Sequence, residues 1–407
     1  MHFIEVQETN WIDRNVIQVH HLIERLVSRG HTFEIIDYDI LWPHRNNRKI
    51  WQSKQVFSGI TKVLPNVSLR VTRPGTLQVP LICHASWAAT SMKELTQLIH
   101  QERPDALLCY SLTNSYLMAL LAKSLKIPFI YMVLEPYHSM VPQPWLRPFA
   151  RQVERRALMF AERVFVFTPQ MKEYAKRMGV KECRVDVYKS GVGQEIFQAG
   201  VDGKNLRIEL GIDSSEWVLF FMGWLYDFSG LRQIFQAIAK NPALLDHARL
   251  LVVGDGDIYV ELKAIIEQYH LSPKIIMTGK RPYQDIPALL ATADVCLMPS
   301  LENDTTRDIV PMKVYEYLAV KRPLVATSLP GMLSEFGTES GILYTHDPLE
   351  ALQQALALSK KPIEVAERAN AGRNFALQHA DWDRTADDFE HTLQNVVNQA
   401  RAKSPSS

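Results

Sequence analysis

The chain has 407 residues, 47% of them hydrophobic and 22% charged, with a net charge of +1. That length predicts two domains rather than one. The near-neutral balance removes the electrostatic case for a nucleic-acid partner.

The four cysteines, Cys83, Cys109, Cys183 and Cys296, show no metal-ligand spacing. Free thiols in a reducing compartment are expected. The opening residues read as a strand and lack the basic-then-apolar order of a signal peptide. No apolar run nears the ~20 residues of a membrane span. The expected location is the cytoplasm, with a peripheral membrane contact left open. Residues 43–75 carry Arg45, Arg48, Lys49, Lys54, Lys62, Arg70 and Arg73 and no acid. Two readings stand: a solvated loop, or a site for an anionic acceptor or headgroup.

In chain order, residues 3–6 form the first expected strand. Residues 16–28 follow as a helix, with Val19, Leu22, Ile23, Leu26 and Val27 at helical spacing and Gly30 as the stop. Strands are expected at 32–36, 106–110, 127–133 and 163–167, and helices at 115–125 and 149–160. Thr168-Pro169 is a cap-plus-proline start for another helix. The stretch 188–197 has no strong element, and the domain boundary is placed after it, between 198 and 205. The alternation then restarts. Strands are expected at 217–222, 249–253, 275–278, 295–299, 323–327 and 341–343. Helices are expected at 231–239, 258–269, 286–293, 312–319 and 349–358. A final helical stretch, 363–399, breaks near 379–383. Alternating strands and helices predict an α/β fold with parallel sheets. The tail 404–407 is expected to be disordered.

Three stretches carry a family resemblance. One is Val252-Val253-Gly254-Asp255-Gly256-Asp257. The second runs from Thr278-Gly279-Lys280-Arg281 through Ala293-Asp294-Val295 to Pro299-Ser300. The third is the segment from Asp308 to Thr327, with Asp308 and Glu316 eight positions apart. In this order they resemble the donor domain of retaining nucleotide-sugar glycosyltransferases of the GT-B architecture (group 1). The likeness covers roughly residues 216–327 and is thinner in the first half. It implies an α/β fold of two Rossmann-like domains facing across a cleft. Residues 1–198 would be the acceptor side and 205–380 the donor side, with a last helix at 383–400 packing back onto the first domain. It implies glycosyl transfer from a nucleoside-diphosphate sugar to a glycan, lipid or small-molecule acceptor, with retention and without a dedicated cofactor or metal.

The same resemblance assigns roles. Glu316 would bind the ribose hydroxyls, since a carboxylate accepts from two vicinal hydroxyls in short charged bonds. The bland alternative is a surface glutamate on an amphipathic helix. Asp308, where the family more often has Glu, would hold sugar hydroxyls, unless it is a loop aspartate and Asp304 takes the part. Ile309 and Val310 would present backbone N–H groups to the diphosphate at a helix start. Lys313 either contacts the diphosphate or only pairs with Glu316. The loop 223–230 departs from the family, with Trp224 and Ser229 at the usual cation positions and Asp227 between them. Lys313, Arg281 and Arg307 are the candidates to supply the missing charge. Gly223, Gly230 and Gly254 suit close backbone approach, or merely permit turns.

In the first half, His138 and Glu135 follow a strand, where active groups of open α/β sheets gather. His138 is a candidate to steady developing charge, Glu135 to touch the acceptor. Trp11 and Asp13 lie in a loop expected to close over the acceptor. A non-catalytic sugar-nucleotide binder, or an epimerase or hydrolase of the same fold, are the alternatives.

Overall fold

The computed structural model describes residues 1–40, 49–303 and 305–403. Arg45, Arg48, Asp304 and the tail 404–407 therefore lie outside the described residues. The chain forms two compact units, one of Met1–Lys189 with the chain from Asp383 on, the other of Ser190–Trp382.

The first unit is built on an eight-stranded sheet. Its order is Val185–Val187, Arg163–Val166, Phe129–Val133, Ala106–Tyr110, His2–Gln7, Thr32–Ile36, Leu69–Arg73 and Gln55–Ile60. All neighbours are parallel except the last pair, where Val56 faces Thr72 antiparallel. Central registers are set by apolar residues, with Val6 opposite both Ile36 and Cys109. Continuous runs such as Phe129–Val133 (FIYMV) suit strands buried on both faces. On one face Ile4, Val6, Leu107 and Cys109 join a core with Trp87, Met118 and Leu158.

Two expected termini are built as the residues dictate. Gly30 adopts φ 89°, and the His31 N–H reaches back to the Leu26 carbonyl at 3.1 Å. Thr168 Oγ1 accepts from the Met171 N–H at 3.2 Å, with Pro169 opening the helix Pro169–Arg177. Several elements were not foreseen, among them the strands Gln55–Ile60, Leu69–Arg73 and Val185–Val187. Another, the helix Ile82–Gln101, buries Cys83, Trp87, Leu95 and Ile99. Its apolar side is diluted by Ser, Thr and His, so its period is weak in the sequence.

The second unit holds a six-stranded, wholly parallel sheet. Its order is Ile275–Gly279, Ala248–Val253, Trp217–Met222, Val295–Met298, Leu324–Thr327 and Leu343–Thr345. The order reverses direction at Trp217–Met222, so crossovers leave to both sides there. A crevice outside the strand ends at such a switch point is where open α/β sheets bind ligands.

The division between the units falls at Ser190, earlier than the boundary at 198 read from the sequence. Val192 already bridges Asp381, and Phe197 is buried in the second core. The helix Pro362–His379 ends before this bridge, and the helix Trp382–Lys403 begins beyond it. From Asp383 on, that last helix belongs to the first unit. Phe389 meets Phe165 at 5.0 Å and Tyr188 at 5.4 Å between ring centroids. Each fully buried side chain of this size contributes about 1.5–3 kcal/mol. Ion pairs of Arg25 with Asp383 (3.0 Å) and of Arg29 with Glu390 (2.9 Å), and a hydrogen bond between His31 and Glu390 (2.9 Å), fix its register.

Candidate nucleotide-sugar site

The helix Met312–Ala319 is fastened to the end of the strand Trp217–Met222. Positions 313, 316 and 317 share one side of a helix, three and four residues apart. Tyr317 Oη accepts from the Met222 N–H at 2.9 Å, and Lys313 Nζ donates to the Met222 carbonyl at 2.9 Å. One residue's two backbone groups, left over at the strand end, are thus satisfied by one helix. Lys313 Nζ also lies 4.2 Å from the centroid of the Phe221 ring.

Glu316 is 5% exposed. Its Oε1 accepts from Tyr283 Oη at 2.7 Å, while Oε2 accepts no hydrogen bond from the described residues. Burial pushes the Glu316 carboxyl up to about 7, against the pull of the Tyr283 hydroxyl and of Lys313. Burial pushes the half-buried Lys313 ammonium down to about 7, with Glu316 acting the other way. The two groups are poised to take or lose a proton near neutrality when a charged ligand arrives.

Glycines close the floor. A Cβ on Gly254 would stand 1.9 Å from the Gly223 carbonyl oxygen, and both residues have positive φ, 142° and 132°. The turns after Met222 and Val253 therefore touch backbone to backbone, which no side chain permits. A Cβ on Gly223 would meet Lys313 Nζ at 3.0 Å, so the ammonium lies over that turn.

The rest of the loop 223–230 is aromatic. Trp224 is half-buried and its Nε1 donates to Asp257 at 3.1 Å. Tyr226 and Phe228 stack at 4.6 Å. Asp227, a potential repellent of phosphate, pairs with Arg232 at 2.9 Å, and Arg232 also binds Glu261 at 2.6 Å. Ser229 is buried.

Asp308 is exposed, and its carboxylate has no partner among the described residues. Its backbone is fixed: a Cβ on Gly331 would stand 2.8 Å from the Asp308 carbonyl carbon, and the Gly331 N–H donates to Arg307 at 2.8 Å. Thr306 Oγ1 donates to the Leu301 carbonyl at 2.6 Å. The Ile309 N–H reaches Thr306 at 3.4 Å, whereas the buried Val310 has no N–H bond among the described residues. Pro311 lacks an N–H and its carbonyl accepts from the Val314 N–H at 3.1 Å, which leaves the Met312 and Lys313 amides as the orphans of the helix start. Arg281 is exposed and unpaired among the described residues, whereas Arg307 lies 3.8 Å from Glu302.

The first-unit candidates separate. His138 Nδ1 lies 2.8 Å from Glu154 and 3.1 Å from Tyr174 Oη, and Glu154 also accepts the His138 N–H at 3.1 Å. Glu154 is fully buried, so it fixes the ring through Nδ1. Glu135 is half-buried, has no hydrogen bond among the described residues, and is raised by burial against the charge of Arg14. Trp11 corrects the expectation of a loop closing over an acceptor. Its side chain is fully buried, packed 4.2 Å from the His20 ring, and its backbone N–H donates to Asp37 at 3.0 Å. Asp13 stays near half-exposed, accepting from Asn10 at 2.9 Å and lying 3.8 Å from Arg73. Arg73 in turn holds Asp37 at 2.6 Å and Asn10 at 2.8 Å, which makes this loop rigid.

Tyr283, Tyr317, Asp257 and Glu154 are the participants that sequence reasoning missed. Each lies far along the chain from its partner, and no spacing rule links them.

Two family profiles match the chain, "Glycosyl transferase 4-like domain" over residues 16–191 and "Glycosyl transferases group 1" over residues 216–360. The chain belongs to the GT-B nucleotide-sugar glycosyltransferase superfamily. It is similar to the 2-deoxystreptamine glucosyltransferase of Streptomyces kanamyceticus, 25% identical over 57% of this chain and 62% of that one. The chain thus spans about three fifths of that curated relative's length. In fold it resembles sucrose-phosphate synthase from Thermosynechococcus elongatus, with TM-score 0.76, 15% identity and coverage of 98% and 100% of the two chains. It also resembles Anabaena HepE in complex with UDP-glucose, with TM-score 0.72, 16% identity and coverage of 97% and 100%. At these identities the structural likeness speaks for the GT-B fold of two Rossmann-like domains.

Proposed function

We propose that the protein transfers a glycosyl group from a nucleoside-diphosphate sugar to an acceptor hydroxyl, with retention of anomeric configuration. The observation that carries this is the buried Glu316 with one oxygen held by Tyr283 and the other open, beside an ammonium seated on a glycine turn. Buried carboxylates want partners. A ribose supplies two hydroxyls to the open oxygen. Lys313 and the amides from Val310 onward then face the diphosphate, supplying the positive field that Trp224 and Ser229 do not. As the sugar–phosphate bond breaks, charge grows on the leaving diphosphate, and pre-aimed donors stabilise it most where water is excluded. Asp308, on a fixed backbone with a free carboxylate, is assigned to sugar hydroxyls. Arg281 is assigned as a further cation of the donor site. In the first unit the reading gives His138 the part of steadying charge, because Glu154 orients its ring. It gives Glu135, and more peripherally Asp13, contact with the acceptor.

The relative similar in sequence is by name a glucosyltransferase, and the HepE structure holds UDP-glucose. Both support a nucleotide-sugar donor. The same reading includes peripheral contact of the first unit with a membrane. No helix among the described residues is long and apolar enough to cross one.

The test is a thermal-shift screen with UDP-, GDP-, ADP- and dTDP-sugars, followed by product analysis with the donor that binds. A ligand specific to the folded state raises Tm by mass action. A donor that shifts wild type but not Glu316→Gln, with a product of unchanged anomeric configuration, is expected. No shift with any donor rejects the reading. Binding without turnover favours the non-catalytic binder, for which the aromatic loop 223–230 is the specific argument.

A further inference from the structure

We propose that the helix Arg147–Phe160 and the turn before it form a docking surface for an anionic lipid bilayer. In this stretch the burial pattern is inverted at two large aromatics. Trp145 is 72% exposed and Phe149 is 70% exposed. Trp145 stands in the tight turn Pro144–Leu146 and Phe149 in the first turn of the helix that directly follows it, so the two rings are exposed at the same end of the element. Monomeric surfaces seldom display two such rings in one short stretch without a use. The helix seats itself on the domain through Ala150, Glu154, Ala157 and Leu158, which leaves the aromatic side outward.

The charge around the rings is one-sided. Arg147, Arg151, Arg155 and Arg156 are all exposed, and none is in an ion pair among the described residues. Three of them are positioned by the fold, Arg155 through a bond from its Nε to the Met178 carbonyl at 3.3 Å. Arg147 Nε donates to the Val141 carbonyl at 2.9 Å, and Arg156 lies 5.6 Å from the Tyr116 ring. Between residues 106 and 161 the only acids are Glu135 and Glu154. The first is half-buried, and the second is fully buried against His138. The adjacent helix Ser115–Leu125 meets it through Tyr116, beside Arg156, and the exposed Lys123, 5.0 Å from the Phe160 ring, and carries no acid.

Charge decides the occupant. A second copy of the chain, docking by a twofold axis, would set this arginine face against itself. An anionic bilayer matches it in both respects. Tryptophan settles at the headgroup level, and arginines pair with lipid phosphates while their stems remain apolar. Such a surface holds the first unit against a membrane, where a lipid-linked hydroxyl is presented. The surface itself does not depend on the donor chemistry.

The experiment is co-sedimentation of the full chain, without nucleotide, with two kinds of vesicle: phosphatidylcholine alone, and an equimolar mixture with phosphatidylglycerol. Binding is expected only with the anionic vesicles and is expected to fall with salt. Arg151→Gln with Arg156→Gln should weaken it roughly thirtyfold, from the usual contribution of a basic residue near an anionic surface. Trp145→Ala with Phe149→Ala should weaken it by more than about tenfold. Both pairs are exposed, so Tm and donor-induced thermal shifts should match wild type. Absence of binding to anionic vesicles, equal binding to both kinds, or variants that bind like wild type would each overturn the proposal. Capture by an acidic protein with no vesicle binding would do the same. None of these outcomes would touch the donor-site reading.

Discussion

Lys313→Met separates the two roles of this lysine. The side chain keeps its length, and the apolar contact with the Phe221 ring survives. The charge near the Gly223 turn is lost, as is the bond to the Met222 carbonyl. Fold stability should change little, by within about 1–2 kcal/mol, because removing a desolvated charge offsets leaving one carbonyl unpaired. Donor binding should respond strongly. A charge-assisted bond to a diphosphate is worth about 1.5–3 kcal/mol, which is about ten- to a hundredfold in Kd at neutral pH. The pH dependence is the sharper test. Burial holds the free enzyme's Lys313 down to about 7, so above neutrality it is mostly unprotonated. A bound diphosphate favours the protonated form, so binding takes up one proton there. Wild-type affinity should then fall with a slope approaching one decade per pH unit well above 7, up to about fiftyfold from pH 7 to pH 9. The diphosphate of a nucleotide sugar has no proton to lose in this range, and Glu316 is already ionised above its own value near 7. Isothermal titration in buffers of different ionisation enthalpy reads both the slope and the proton count. A flat wild-type affinity from pH 7 to pH 9, or an equal slope in Lys313→Met, would refute the argument.

Glu316→Gln should weaken donor binding about ten- to a hundredfold, read by the same titration. It should also change stability with pH in a definite direction. Glu316 is raised in the folded state, so the stability it contributes is present below the unfolded value of 4.5 and lost as pH rises to about 7. Wild type should lose Tm relative to the variant across that window, and a constant Tm difference would contradict the assignment. Tyr283→Phe removes the bond that opposes Glu316's rise, at a cost of about 1 kcal/mol in donor binding. Its signature is an acidic limb of the pH–affinity profile shifted to higher pH, which a purely structural lesion would not produce. Gly254→Ala drives a methyl into the Gly223 carbonyl and should destabilise by about 2–4 kcal/mol, measured by chemical denaturation.

The residues themselves determined a good deal, because their signals are local. Alternating apolar runs and helical periods fix an α/β chain of parallel strands. Gly30 and Thr168-Pro169 set helix ends within a few residues of themselves. The spacing of Lys313 and Glu316 places two polar groups one turn apart on a single helix, wherever that helix packs. Tertiary structure decided what those groups meet. Tyr283 reaches Glu316 from 33 positions away, and Lys313 and Tyr317 close on Met222 from more than 90. Such pairings follow from how strand ends converge, and no short-range pattern encodes them. The same reason put Trp11 inside rather than over an acceptor, since the Arg73–Asp37–Asn10 network that draws its loop inward joins residues from three separate stretches. It also disarmed Asp227, whose partner Arg232 is near in sequence but turned toward it by Glu261 on the neighbouring helix. Burial then gave Glu316 and Lys313 their proton affinities. Desolvation belongs to the packed surroundings, and the amino acids acquire it only when the chain is folded around them.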